Sequence, residues 1–197
     1  VLSRVATGEA GVWVVNSLDA SVSRLDPKTG AVIDRIDVGR DPGGIAVGGG
    51  AVWVANSLDA TVSRIDSRTN RVAQPISVGL TPMALAVDDE TVWVTTAGDR
   101  SATRIDADSG RVIDTVPTGA FGRGIAIGGG VWVTDETSRS VVRLDQRRGR
   151  VVTAVSVGNG PTSIAFGHGS VWVVNSLDGT VSRIDPGTNR VAAVVAV

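Results

Sequence analysis

From Thr61 to Asp66 polar and apolar side chains alternate, the period-two signature of a strand with one covered face. Just before it, Val52-Trp53-Val54-Ala55 is a β-branched and aromatic run of strand length, preceded by the short apolar run Gly44-Ile45-Ala46-Val47 and the turn Gly48-Gly49-Gly50. After it, Arg71-Val72-Ala73-Gln74-Pro75-Ile76-Ser77-Val78 reads as a fourth strand, whose proline belongs on a sheet edge. Gly, Asn, Asp and Pro cluster at every junction, and no window shows a helical period.

This set of four runs recurs along the whole chain. Tryptophans fall at 13, 53, 93, 132 and 172, a spacing of 40, 40, 39 and 40 residues. A fixed period near 40 means one supersecondary unit copied in series. Four antiparallel strands per period describe the blades of an all-β propeller, here approximately 1–38, 39–78, 79–118, 119–157 and 158–197 in a single domain. The ring has five blades if this chain closes it alone, and six or seven if residues lie outside it.

Between the third and fourth runs of each unit an Asp opens a turn: Asp26, Asp66, Asp106, Asp145 and Asp185. Gly or Asn closes the same turn, where a left-handed backbone is needed, and the Asp can accept from turn N–H groups. The repeated pairs Arg24/Asp26, Arg64/Asp66, Arg104/Asp106, Arg143/Asp145 and Arg183/Asp185 share a strand face. They read as blade-to-blade pairing and turn capping. Trp13, Trp53, Trp93, Trp132 and Trp172 read as core, filling the wedge between neighbouring sheets.

Composition narrows the function. With 19 basic and 20 acidic residues and no long block of like charges, the chain lacks the basic stripe of a nucleic-acid footprint. It has no cysteine, hence no disulfide framework and no thiolate metal site, which is compatible with an oxidising compartment. The closing apolar run Val191–Val197 is far too short to span a bilayer. The first residue is Val1, which reads as a mature form or a fragment.

The repeat Val-Trp-Val-x-Asn-Ser-x-Asp-x-Thr-Val-Ser-Arg-Ile-Asp, seen at 52–66 and 171–185 and, with Ser21 for Thr and Leu25 for Ile, at 12–26, resembles the YVTN family of propellers and the wider NHL and virginiamycin B lyase-like group. That resemblance covers the whole chain. It implies an extracytoplasmic location and, in actinobacteria, sensor domains attached to membrane kinases or regulators. It implies a fold rather than one activity, because such folds host many functions. Virginiamycin B lyases rely on histidines with a glutamate and a metal. The only histidine here, His168, lies in the turn Gly167-His168-Gly169, so that activity does not carry over.

Function is then sought where the chain departs from its own repeat. Blades one, two and five carry Asn-Ser-Leu-Asp between their second and third strands, whereas blade three has Thr96-Ala97-Gly98-Asp99-Arg100 and blade four Asp135-Glu136-Thr137-Ser138-Arg139. The connection into blade four, Ala120-Phe121-Gly122-Arg123, also differs from its counterparts, and Met83 comes from the neighbouring junction. The candidate ligand-binding residues are therefore Met83, Asp99, Arg100, Phe121, Arg123, Asp135, Glu136 and Arg139. An aromatic among charges of both signs suits a small polar ligand or a peptide, drift in solvated loops being the plainer explanation. No catalytic triad, cofactor motif or histidine metal cluster can be assembled. The expectation is a monomeric, non-catalytic binding or sensing propeller without cofactor or membrane insertion. The alternatives are a lyase or hydrolase using only Asp135 and Glu136, and a scaffold that docks a protein partner.

Overall fold

The computed structural model describes residues 2–8 and 11–197, folded into five four-stranded antiparallel sheets. Blade one contains β1 (Leu2–Gly8), β2 (Gly11–Asn16), β3 (Ser21–Leu25) and β4 (Val32–Asp37). Blade two contains β5 (Pro42–Gly48), β6 (Ala51–Asn56), β7 (Thr61–Asp66) and β8 (Ile76–Ser77). Blade three contains β9 (Pro82–Val87), β10 (Thr91–Thr96), β11 (Ser101–Asp106) and β12 (Val112–Pro117). Blade four contains β13 (Ile125–Ile127), β14 (Val131–Asp135), β15 (Ser140–Asp145) and β16 (Arg150–Ser156). Blade five contains β17 (Pro161–Gly167), β18 (Ser170–Asn175), β19 (Thr180–Asp185) and β20 (Arg190–Ala196). In every sheet the strands pair in sequence order, so each blade is a meander.

The fourth strand of blade two is shorter than its sequence suggests. Pairing is confined to Ile76 and Ser77, with one isolated bridge between Val72 and Ile65. Pro75 between them has no N–H to give the ladder, and the strand tolerates this because it is the outermost.

The core lies between blades, in a repeated wedge. Trp53 is fully buried among Ala51, Ala55 and Val62 of its own blade and Val92, Val94 and Ile105 of the next. Trp13 meets Val52, Val54 and Ile65 in the same way, Trp93 meets Val131, Val133 and Leu144, and Trp132 meets Val171, Val173 and Ile184. Across the sheet each tryptophan pairs with an arginine, and in the first four blades the guanidinium lies 5.1–5.6 Å from the indole centroid. Trp172 differs: it is only half-buried, although its indole N–H donates to Gly167 O at 3.1 Å like its counterparts at Trp53 and Trp132.

The repeated Arg and Asp divide their labour as their spacing suggests. Arg24 reaches the Asn70 amide oxygen of blade two at 2.8 Å, Arg104 reaches the carbonyls of Gln146 and Arg147 in blade four at 2.8 Å, and Arg143 reaches Pro186 O in blade five at 2.8 Å. The aspartates cap their own turns. Asp66 Oδ1 accepts the N–H groups of Arg68 and Thr69 at 3.0 and 2.8 Å, with Asn70 closing the turn at φ 61°.

These hydrogen bonds hold the carboxyls below the usual aspartate range. Backbone N–H donors are the largest cause at Asp26, Asp66, Asp145 and Asp185, and the Ser109 hydroxyl is the largest at Asp106. A carboxyl lowered in the folded state stabilises the fold above its unfolded pKa of about 3.9 and loses that contribution as pH falls through the lowered value. The urea midpoint is therefore expected to fall between pH 5 and pH 2, and Asp66→Asn to flatten that slope. A midpoint independent of pH in that window would contradict the capping account.

Candidate functional site

The 2–3 and 4–1 connections gather on one face, and in three blades they are braced alike. Asp59 Oδ2 accepts the N–H of Arg40 at 2.7 Å, Asp99 Oδ2 that of Leu80 at 2.5 Å, and Asp178 Oδ2 that of Asn159 at 2.6 Å. Asp99 thus belongs to the scaffold of this face. Arg100 and Arg139 occupy left-handed turn positions, φ 50° and 51°, equivalent to Ala20, Ala60 and Gly179. Their carbonyls accept from Thr118 and Gly119, and from Val157, while their side chains stay exposed.

Blade four has Ser138 where that bracing Asp stands, and its connection is rebuilt around Thr134. Gly122 N donates to Thr134 O at 3.1 Å, Thr134 N donates to Gly124 O at 3.0 Å, and Gly124 N donates to the Thr134 hydroxyl at 2.9 Å. The first strand, β13, shortens to three residues. The freed segment projects Phe121 and Arg123. The Arg123 guanidinium lies 5.6 Å from the Phe121 centroid, and its Nε donates to Glu136 Oε2 at 2.8 Å. Arg123 and Glu136 remain 48% and 38% exposed, so this pair is solvent-screened and available.

Asp135 does not join them on the surface. It is 4% exposed and takes the place that Asn16, Asn56 and Asn175 hold in blades one, two and five. There the asparagine amide donates to two hydroxyls of the next strand, as Asn56 does to Thr61 and Ser63 at 3.0 and 2.9 Å. Asp135 has no such donor and instead accepts from Thr137 N at 3.2 Å and, more distantly, from Phe121 N at 3.5 Å. It ties the rebuilt connection down from below.

Arg123 also lines a cavity of about 270 Å³ at the axis, where the first strands β1, β9, β13 and β17 converge. Met83, Leu85, Thr162 and Ser163 share that lining, and so does Arg4, which the sequence reasoning missed. A signal for it exists. Two residues before the alanine that pairs with each tryptophan, Arg4 stands where the other blades have Gly44, Ala84, Gly124 and Ser163. Of the proposed residues, the structure therefore groups Phe121, Arg123 and Glu136, with Asp135 beneath and Met83 beside Arg123 in the cavity. Asp99, Arg100 and Arg139 stand apart.

A larger cavity of about 840 Å³ lies between blades three and four on the other face, lined by Glu90, Arg104, Arg143 and Arg147. Two of its guanidiniums are already engaged: Arg104 with Asp114 at 2.7 Å, and Arg143 with Pro186 O at 2.8 Å and with the Gly129 carbonyl. It is a groove of the scaffold rather than a set of waiting donors. His168 is exposed in the β17–β18 turn at φ 50°. The described residues hold no cluster of three or more His, Cys, Asp or Glu fit for a metal ion.

Comparison with known proteins places the architecture. Over residues 3–109 the chain matches the family model of the YNCE-like β-propeller. Among solved structures it overlays a functionally unknown protein from Desulfotomaculum acetoxidans DSM 771 with a TM-score of 0.86 at 13% identity, covering 98% of this chain and 69% of that one. A streptogramin B lyase structure overlays with a TM-score of 0.72 at 15% identity, covering 100% and 83%. Kuenenia stuttgartiensis hydrazine synthase overlays with a TM-score of 0.73 at 21% identity, covering 79% of this chain and 49% of that one, so the chain spans about half its length. No curated protein matches. At these identities the structural likenesses speak to the fold alone, which agrees with the resemblance to YVTN and NHL propellers. The chain belongs to the YNCE-like β-propeller family.

Proposed function

We propose that the chain is a non-catalytic binding or sensing propeller, part of a larger extracytoplasmic protein. Its ligand-facing surface is the rebuilt connection of blade four at the mouth of the axial cavity. The observation that carries this reading is Arg123: exposed, stacked on Phe121, held by Glu136 and lining the cavity that also contains Arg4. A guanidinium already oriented over an aromatic face offers a carboxylate paired hydrogen bonds and an adjacent apolar surface. The occupant is a small polar ligand or a peptide that carries a carboxylate. No helix among the described residues is long and apolar enough to cross a membrane.

Hydrolytic chemistry by Asp135 and Glu136 would require both carboxyls to meet one reacting atom. Asp135 instead faces inward to backbone N–H groups while Glu136 turns outward to Arg123.

The test is a binding screen by calorimetry with dicarboxylic acids and short acidic peptides, run on the wild-type chain and on a Phe121→Ala/Arg123→Ala variant. The variant is expected to keep its melting temperature and to bind the best probe roughly 10- to 100-fold more weakly, the effect of losing a hydrogen bond to a charged group. Equal affinity in both proteins would remove the site from blade four.

A further inference from the structure

On the face of the 2–3 and 4–1 connections a leucine is repeated without being buried. Leu18, Leu58 and Leu177 hold one place in the Asn-Ser-Leu-Asp connections of blades one, two and five, and they are 77%, 68% and 76% exposed. None of them belongs to an apolar core. Apolar side chains scattered singly over a surface are ordinary, but a set held at one place of the repeat on one face is not.

Blade three keeps the apolar group and changes its source. The N–H of Leu58 donates to Arg40 O at 3.4 Å and that of Leu177 to Asn159 O at 3.2 Å, while in the equivalent bond of blade three Gly98 donates to Leu80 O at 3.0 Å. Glycine thus stands at the leucine place, and a leucine, 60% exposed, stands in the facing connection. The two arrangements cover one spot from opposite sides. A Cβ on Gly98 would lie 2.8 Å from Leu80 Cβ, and a Cβ on Gly160 would lie 2.7 Å from Leu177 Cγ. In blade four Thr137 takes the leucine place, and the facing connection supplies Phe121. Each blade therefore presents one large apolar side chain on this face. None of the four leucines lines the axial cavity, so a small molecule seated there would leave them bare.

We propose that this face docks a protein partner through a segment in which an acidic residue is flanked by large apolar residues. The acidic group meets Arg123 and Arg4, which rests on the carboxylate site proposed above, and the flanking side chains cover Leu58, Leu80 and Phe121 on successive blades. Charge favours a protein over a lipid surface. Leu18, Leu58 and Leu177 are each followed by an aspartate, Asp19, Asp59 and Asp178. The N–H groups of Arg40 and Asn159 hold the carboxyls of Asp59 and Asp178 below the usual range, so both stay ionised. Sinking these leucines into a bilayer would draw the carboxylates out of water and toward anionic headgroups. A protein segment can cover each leucine and leave its aspartate in solvent.

The test uses two peptides of about 12 residues, long enough to reach roughly 40 Å when extended. Each has a central glutamate, flanked on both sides by leucine and phenylalanine in one peptide and by serine and glycine in the other. Calorimetry gives their affinities for the wild-type chain and for Leu58→Ser/Leu80→Ser, whose melting temperature should stay within about 2 °C. A preference of roughly 10-fold or more for the apolar peptide, lost in that variant, supports the proposal. Equal affinity for the two peptides, undiminished in the variant, would overturn it and leave the carboxylate site standing. Absence of binding by either peptide and by dicarboxylic acids would overturn both readings. Cosedimentation with phosphatidylcholine or phosphatidylglycerol vesicles that is lost in the variant would overturn the proposal in favour of lipid. A wild-type dimer that the same substitutions dissolve would overturn it in favour of a second copy.

Discussion

Trp53→Ala is expected to destabilise the fold by about 3–5 kcal/mol, the range for truncating a large aromatic in a core that cannot collapse. Trp53 is fully buried between two sheets, its indole N–H donates to Gly48 O at 3.2 Å, and Arg64 stacks 5.5 Å from its centroid. Alanine would leave a void bounded by two rigid ladders and strip Arg64 of its aromatic partner. The same change at Trp172 removes less buried area and opens no enclosed void, so about 1–2 kcal/mol is expected. Urea unfolding of the two variants with an unchanged m-value provides the comparison. Equal losses would mean that the wedge at blade five is as closed as the others.

Gly44→Ala should cost about 2–3 kcal/mol, for the opposite reason. A Cβ on Gly44 would sit 2.4 Å from the carbonyl oxygen of Met83 and 3.1 Å from Leu85 Cδ1. The first obstacle is backbone in β9 and cannot rotate away, so blades two and three must separate at the axis. Gly43 is the control: a Cβ there meets nothing within 4 Å. Gly43→Ala is expected to be neutral within about 0.5 kcal/mol, since a surface change away from caps, core and strain usually is. Similar melting temperatures for the two variants would show that the first strands are not in close approach. Because Met83 and Leu85 line the axial cavity, Gly44→Ala should also alter its shape.

Much of this architecture was legible in the sequence because it is repeated. Five tryptophans at one period announce five blades, and a turn opened by Asp and closed by Gly or Asn announces its own hydrogen bonds before any coordinates are seen. The arginine two residues ahead of each Asp was readable as a link between blades for the same reason. Departures from the repeat pointed to Phe121, Arg123 and Glu136, which do come together. Burial was less legible, because it depends on what a neighbouring sheet supplies. Asp135 looked like a loop residue until its place beneath the Phe121 connection was known. Trp172 is chemically identical to Trp53, and only the missing wall opposite it distinguishes them. Arg4 was overlooked because its strand was read for apolar residues, although it breaks a column of Gly, Ala and Ser.

Where a ligand can sit depends on which surfaces the scaffold occupies: four wedges closed, one boundary open, and the mouth of the axial cavity free. Incorporating 5-fluorotryptophan and recording 19F spectra of the 197-residue chain in H2O and D2O reads all five wedges at once. One resonance, identified by its disappearance in Trp172→Phe, should show a solvent isotope shift, while the other four show none. Five resonances equally insensitive to solvent, or solvent access at Trp13, Trp53, Trp93 or Trp132, would contradict the arrangement of four closed boundaries and one open one.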